Sequence, residues 1–264
     1  MGDVVMGEVA DTRDNSPVVH VGVESGVATI TLDSPGNRNA LSQRLLADLH
    51  AALDRATEPD VRAIVLTHTG TAFCAGADLK ERSSGPPDSG AMVRALERLM
   101  TCDQPTIAAV KGAVRAGGIG LMASCDLVVV QPTATFAFTE VRIGVAPAII
   151  AVPILRRVSA SRLTAPFLTG EAFDATTALD MGLVTHVADD VDDAIAHICQ
   201  GLRMGSPSAV AATKHLLHRV PGLPVPEAFA EMRALSEALF SSPDAAEGMT
   251  AFLTKRAPAW HEGG

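Results

Sequence analysis

Three short segments hold the groups that could act on a bound molecule. The first, Ala72-Phe73-Cys74-Ala75-Gly76-Ala77-Asp78-Leu79-Lys80-Glu81, follows a β-branched run and its turn. Its small side chains leave main-chain amides open to a ligand. The same composition also suits a plain strand-to-helix connection. The second, Lys111-Gly112-Ala113-Val114-Arg115-Ala116-Gly117-Gly118-Ile119-Gly120, again follows an apolar run. Glycines that open a helix direct unpaired N–H groups at whatever sits there. Two such loops, each giving one amide, could grip one oxygen from two sides, which is the geometry of an oxyanion hole. The third, residues 136–147 (FAFTEVRIGVAP), contains Glu140 as a lone carboxylate in an apolar setting. Desolvation would raise its pKa toward the range useful for proton transfer. A surface ion pair with Arg142 or Arg156 is the competing reading.

Other patterns point elsewhere more weakly. Gly118-Ile119-Gly120-Leu121-Met122-Ala123 fits the dinucleotide pattern G-x-G-x-x-A, with Glu140 about 20 residues on. That fingerprint should open tightly from its strand, whereas six residues separate Val110 from Gly117, mid-chain and behind two earlier strand–helix units. His215 and His218 lie three apart with no third ligand near, so a solvated helix face is expected and no metal site. His20 and His68 are isolated. Neither a G-x-S-x-G elbow nor a P-loop sequence occurs. Cys74, Cys102, Cys125 and Cys199 have no C-x-x-C spacing and read as buried thiols.

The elements that must position these segments can be read from pattern. β-branched runs at 18–23 and 27–32 flank Glu24-Ser25-Gly26 and read as a hairpin. A helix capped by Ser42, with Leu45, Leu46, Leu49, Ala52 and Leu53 on one face, should end before Pro59. Strands are expected at 62–67, 106–110 and 127–130, a loop at 83–90, and a helical stripe of Met92, Leu96 and Leu99 to about residue 100. Residues 112–120 read as a glycine-rich turn and 121–124 as helix. Strand and helix alternate, which favours an α/β architecture. From Pro207 the chain turns helical, over 209–219 and 226–240. A last helix has Ser242 at its cap, Pro243 at its first position, Asp244 and Glu247 in its first turn, and Lys255 and Arg256 in its last. No clear linker separates core from helices, so they should pack together.

At 264 residues and 47% hydrophobic, the chain can bury one large core. Its net charge of −9 argues against sequence-blind nucleic-acid binding, which needs a basic footprint. No apolar run reaches the roughly 18 residues of a membrane span. The N-terminus lacks the basic start and long apolar stretch of a secretory signal, so a cytoplasmic location is expected. Residues 1–16 read as a loose tail.

Taken in order, the segments resemble the crotonase, or enoyl-CoA hydratase/isomerase, family over roughly residues 18–258. The matching stretches are NRNALS at 37–42, TAFCAGADLKE at 71–81, AVKGAVRAGGIGLMASCDL at 109–127, FAFTEVRIGVAP at 136–147 and EGMTAFLTKRAPAW at 247–260. GEAFDA at 170–175 and ALDMGLV at 178–184 add to them. The resemblance implies an α/β spiral of ββα repeats at 17–200 and a helical oligomerisation or lid region at 201–264, assembled as homotrimers or dimers of trimers. It implies an acyl-CoA thioester as substrate and no cofactor, coenzyme A being part of the substrate. Catalysis would fall to Glu140 and the amides of Ala77 and Gly117. Arg38, Ala40, Ala75, Asp78, Leu79 and Gly118 would meet the CoA ester, and Phe252 and Lys255 would reach its nucleotide, often across a subunit boundary.

The chain departs from that family's common pattern at three places, one being the usual G-G-G, which is Ala116-Gly117-Gly118 here. Typical hydratases carry two glutamates; one matches Glu140 and the other falls at Gly120. Arg115 replaces a common aromatic or apolar residue. One carboxylate can take a proton from water and return it to C2, or move a proton between C2 and C4. Hydration of a 2-enoyl-CoA is the reading adopted, since that activity dominates the family. A Δ3,Δ2-enoyl-CoA isomerase and a non-catalytic acyl-CoA binder are the alternatives.

Overall fold

The computed structural model describes residues 16–82 and 89–261. Most of the expected loop at 83–90, and all but the last residue of the expected tail at 1–16, fall outside those residues. The chain opens with the hairpin of β1 (Val19–Glu24) and β2 (Val27–Leu32). Its turn residues Ser25 and Gly26 both have positive φ, 48° and 73°, the twist a two-residue hairpin demands. Helix α1 (Gln43–Ala56) comes next, with the Ser42 side chain accepting the Leu45 N–H and its leucine stripe buried. It ends before Pro59, as its pattern requires.

Three times thereafter, a strand of one sheet is followed around a short corner by a strand of a second sheet. These pairs are β3 (Ala63–His68) with β4 (Ala72–Cys74), β5 (Thr106–Val110) with β6 (Ala113–Arg115), and β7 (Leu127–Val130) with β8 (Thr135–Ala137). Helices α2 (Leu79–Arg82) and α3 (Gly90–Thr101) follow the first pair and α4 (Gly117–Ala123) the second. After the third come a 3-10 turn at Glu140–Ile143, α5 (Ala148–Leu155) and α6 (Ala160–Thr169). The repeats stack as a spiral of strand–strand–helix units. Corners meet so closely that a Cβ on Gly112 would lie 2.7 Å from the Thr71 carbonyl carbon.

The stacking generates two sheets. With β9 (Phe173–Asp174), α7 (Ala175–Asp180) and β10 (His186–Val187) added, the larger runs β1-β2-β3-β5-β7-β10 and the smaller β4-β6-β8-β9. Every neighbouring pair from β2 to β10 in the larger sheet is parallel, as are β4-β6 and β6-β8 in the smaller. Parallel sheets need cover on both faces. One face of the larger sheet lies on α1 and α3; the other is covered by α8 (Val191–Met204) through Val191, Ile195 and Cys199.

Two expectations are corrected. Residues 112–120 are not one turn: β6 pairs with both β4 and β8, and α4 already opens at Gly117. The last helix, α11 (Pro243–Leu253), stops short of Lys255 and Arg256. Lys255 takes φ 54°, which ends the helix, and Arg256 folds back onto both Glu247 carboxylate oxygens at 2.6 and 2.7 Å, holding that carboxyl down to about 2. Glu247 itself sits past the first turn, which holds Asp244 alone.

Helices α9 (Pro207–Arg219), α10 (Val225–Phe240) and α11 complete the described chain, and none of its helices is long and apolar enough to cross a membrane. Lys214 of α9 fastens them to the core. Its buried ammonium meets Asp126 Oδ2 at 2.9 Å, Gln104 O at 2.9 Å and Leu99 O at 3.0 Å. His218 meets the other Asp126 oxygen at 3.2 Å, so it is part of this cluster and not simply a solvated face. Removing one member of a buried pair strands the other charge. Lys214→Met should therefore lower the unfolding free energy by about 3–5 kcal/mol, read from urea denaturation at pH 7; a loss below about 1 kcal/mol, the scale of an exposed pair, would show the pair to be dispensable.

Candidate active site

Strands β4, β6 and β8 lie side by side and parallel, ending at Cys74, Arg115 and Ala137. Ala77, Gly117 and Glu140 each lie two or three residues past those ends, so sheet register alone carries all three to one edge. The carboxyl ends of parallel strands are where open α/β sheets receive ligands.

The first two turns touch through their backbones. Gly76 has φ +90°, and a Cβ there would lie 2.9 Å from Ala116 Cβ and 3.5 Å from Gly117 N. A Cβ on Gly117 would lie 3.9 Å from Ala77 N and 2.9 Å from Leu41 Cδ1. Among the described residues, neither the Ala77 nor the Gly117 N–H donates a hydrogen bond. Ala116, between them, holds φ 48° without being glycine, while its N–H donates to Ala137 O at 3.0 Å. Such a backbone costs about 1–3 kcal/mol and persists only where its surroundings fix it. Cys74 Sγ accepts the Gly76 N–H at 3.4 Å, and its burial raises the thiol pKa to about 12. A Cβ on Gly118 would lie 2.7 Å from Cys74 Cβ, so that glycine serves close packing.

A third segment runs along the first turn. Arg38 O accepts the Ala75 N–H at 3.0 Å and Gly76 O accepts the Leu41 N–H at 2.8 Å. Arg38, Ala40, Ala75, Ala77, Asp78 and Leu79 are thereby gathered together. Asn39 fixes this segment, though its residue type alone does not single it out. Fully buried, it donates to Thr69 O (3.0 Å) and Ala72 O (2.9 Å) and accepts the Ser34 N–H at 2.7 Å. Its signal in the sequence is an asparagine where the chain needs left-handed backbone at two successive residues, Arg38 and Asn39, with φ 58° and 53°.

Glu140 is half-buried, and its Oε2 is buried without a hydrogen-bond partner. Burial pushes its pKa up. Among the described residues Glu140 forms no ion pair, and Arg142 donates to Thr169 O instead. The preceding residues are held by aromatic contacts, Phe138 with Phe167 at 4.4 Å and Phe136 with Phe173 at 5.5 Å between centroids. Asp78 and Glu81 are committed to backbone amides, Asp78 to those of Lys80 and Glu81, and Glu81 to that of Gln43 at 2.8 Å. Arg115 braces β6 on β8 through the Thr135 carbonyl and hydroxyl. His68 is buried, which lowers its pKa; its Nε2 accepts the Lys111 N–H at 3.0 Å, assigning the other ring proton to Nδ1, beside Thr69 O.

Phe252 and Lys255 are not brought to this edge within one chain. Phe252 is 84% exposed, and the C-terminal segment is tied to the opposite, entry end of β3, where Arg62 donates to Trp260 O and Gly205 O. Among the described residues no group of His, Cys, Asp and Glu could hold a metal ion.

The family model for enoyl-CoA hydratase/isomerase matches residues 22–263. A Thermus thermophilus protein bearing an enoyl-CoA hydratase name is 37% identical over 252 residues, which cover 90% of this chain and 99% of that one. The enoyl-CoA hydratase EchA19 of Mycobacterium tuberculosis is 30% identical over 94% of this chain and 97% of its own. A crystal structure of a Mycobacterium smegmatis enoyl-CoA hydratase superposes with a TM-score of 0.87 at 33% identity, over 93% of this chain and all of that one. The spiral of strand–strand–helix repeats, the agreement along nearly the whole chain and the matched solved structure converge on one conclusion: this chain belongs to the enoyl-CoA hydratase/isomerase family.

Proposed function

We propose that this protein adds water to a 2-enoyl-CoA, giving the 3-hydroxyacyl-CoA. The observation that carries the reading is the meeting of two unpaired backbone amides at the sheet edge that also bears a half-buried carboxylate with one oxygen, Oε2, left without a partner. In this reaction the amides of Ala77 and Gly117 hold the thioester oxygen. Glu140, ionised, takes a proton from water as its oxygen bonds to C3. The C2–C3 π electrons move toward the thioester, leaving an enolate whose charge rests on the held oxygen. Glu140 then returns its proton to C2 and the thioester re-forms. Donors fixed in advance stabilise that enolate more than the ground state, which is what accelerates the step.

Arg38, Ala40, Ala75, Asp78, Leu79 and Gly118 are proposed to receive the CoA ester. Phe252 and Lys255 would serve a neighbouring subunit's CoA in a homotrimer or dimer of trimers, consistent with their exposure and with α10, which buries no residue in the monomer. No metal and no cofactor beyond the CoA of the substrate is invoked. A cytoplasmic setting suits such a substrate. The division into a core at 17–200 and a helical region at 201–264 is proposed as a functional one, since α8 itself runs through residue 200.

The test is a panel of 2-enoyl- and 3-enoyl-CoA esters followed by mass spectrometry. Hydration adds the mass of water; isomerisation adds nothing, and a 3-enoyl ester that merely gains conjugation would overturn the proposal. Glu140→Gln should cut turnover by about 10²–10⁴-fold, measured from loss of enoyl absorbance. The same replacement should make the protein more stable at neutral pH. A carboxyl whose folded pKa is raised favours folding in its protonated form, and this advantage is lost as pH rises from its unfolded value through its folded one. Thermal unfolding should therefore show the variant above wild type at pH 7, with the gap closing below pH ~4, where both groups are neutral.

A further inference from the structure

Two links close a ring between Gly117 and Glu140. One is the sheet, where the Ala116 N–H reaches Ala137 O at the β6–β8 edge. The other runs through helices. Gly120 lies one turn below Gly117 on α4, and it is a glycine inside a helix, a position where glycine is unfavourable unless something requires it. The requirement is Ile150 on α5. A Cβ on Gly120 would fall inside contact distance of Ile150 Cγ2, 2.7 Å from its Cβ and 3.3 Å from its Cα. Of the helix pairs, α4 and α5 meet most extensively. From Ile150 the path back is short: Ala151 N–H donates to Pro147 O, and Val145 N–H donates to Glu140 O at 3.2 Å, tying the start of α5 to the carboxylate's own turn.

We infer that the Gly120–Ile150 contact is the spacer that sets the distance between Glu140 and the amide of Gly117, making Ile150 a positioning residue for proton transfer. The inference rests on the proposed role of Glu140 and says what holds that group in place. Ile150 is buried, and its side chain occupies the space into which a side chain at residue 120 would project. Its part is to let α5 approach α4 at backbone distance, a closeness that any side chain at 120 would abolish. Charged groups on the elements beside Glu140 do not substitute for this control. Arg142 is turned to Thr169 O, Arg162 of α6 donates to Asp180 O, and Arg157 past α5 is bonded to backbone carbonyls at 123 and 126; none contributes to the upward shift of Glu140, whose cause is burial.

The geometry prescribes the variants. Gly120→Ala should push α5 away and admit water beside Glu140. Adding Ile150→Gly removes both side-chain atoms in the way and leaves only the Cα at 3.3 Å. Adding Ile150→Ala instead keeps the Cβ at 2.7 Å and should not rescue. With a 2-enoyl-CoA, Gly120→Ala should lower kcat about tenfold to a hundredfold, the scale of a displacement near 1 Å, while KM stays within about twofold. Gly120→Ala/Ile150→Gly should recover much of that loss and Gly120→Ala/Ile150→Ala little. A second readout needs no turnover. The Glu140 carboxyl, assigned by difference from Glu140→Gln in ¹³C-glutamate-labelled protein, should titrate lower in Gly120→Ala than in wild type by about half a unit or more, toward the ordinary carboxylate value. Ile150→Ala alone adds no bulk and provides the same titration should Gly120→Ala not fold. An unchanged Glu140 titration in either folded variant overturns the inference, as does a loss confined to KM. Wild-type protein that hydrates no enoyl ester, with the titration moving as expected, would instead discard the proposed reaction and keep the spacer.

Discussion

The site depends on two main-chain turns lying in van der Waals contact, which only missing side chains permit. A Cβ on Gly76 would press into the second turn, 2.9 Å from Ala116 Cβ and 3.2 Å from Arg115 O, and one on Gly117 would collide with Leu41 Cδ1 at 2.9 Å. Parallel pairing of β4 with β6 brings the turns to the same edge, but pairing fixes the strands and not the turns beyond their ends. The last few ångströms are set by Cys74 on the Gly76 amide, by Asn39 bridging three backbone groups, and by the strained Ala116 bonded to β8. Main-chain donors held this way need no reorganisation when a charge appears before them.

Around this contact the polar groups divide by whether they are satisfied. His68, Arg115, Asp126 and Lys214 are all withdrawn from water to some degree, and each has its hydrogen-bonding capacity engaged by backbone or by one another. They stabilise the repeat corners and fasten the C-terminal helices. Among the described residues, Glu140 Oε2 and the amides of residues 77 and 117 have no such partner, and all three lie just past the ends of neighbouring parallel strands. Buried polar groups without partners are unfavourable. Their occurrence together past one sheet edge marks a place where folding stability yields to function.

Much of this fold is legible in the sequence because its signals are local. The hairpin at Ser25-Gly26, the capped amphipathic α1 and the β-branched runs of β3, β5 and β7 all declare themselves within a dozen residues. The smaller sheet does not. β4, β6 and β8 have three residues each, too few for a period, and they exist only through one another. Reading 112–120 as one turn fails for that reason. Helix α8 carries a clear pattern in the Asp190 cap and in Val191, Ile195 and Cys199, so its absence from the sequence-based elements reflects no lack of signal. For the site, residue types identify Glu140 and the two turns. They cannot say whether Glu140 is paired, because that depends on Arg142 turning to Thr169, and they give no hint of Ile150 opposite Gly120.

The distribution of partners also gives the proposed reaction a direction. One negative charge is present throughout: on Glu140 before water is deprotonated, on the thioester oxygen once the enolate forms. At the carboxylate end, an oxygen is desolvated and unpaired, which raises the energy of the charged form. At the other end, two fixed N–H groups wait without partners. Moving the charge from the first to the second exchanges an unsatisfied anion for a hydrogen-bonded one. No second carboxylate is needed for that transfer, and none has room at residue 120, where Ile150 already fills the space. The chain's net charge of −9 is no obstacle to an anionic ligand either, since what the enolate meets is neutral backbone dipoles rather than the protein's average field.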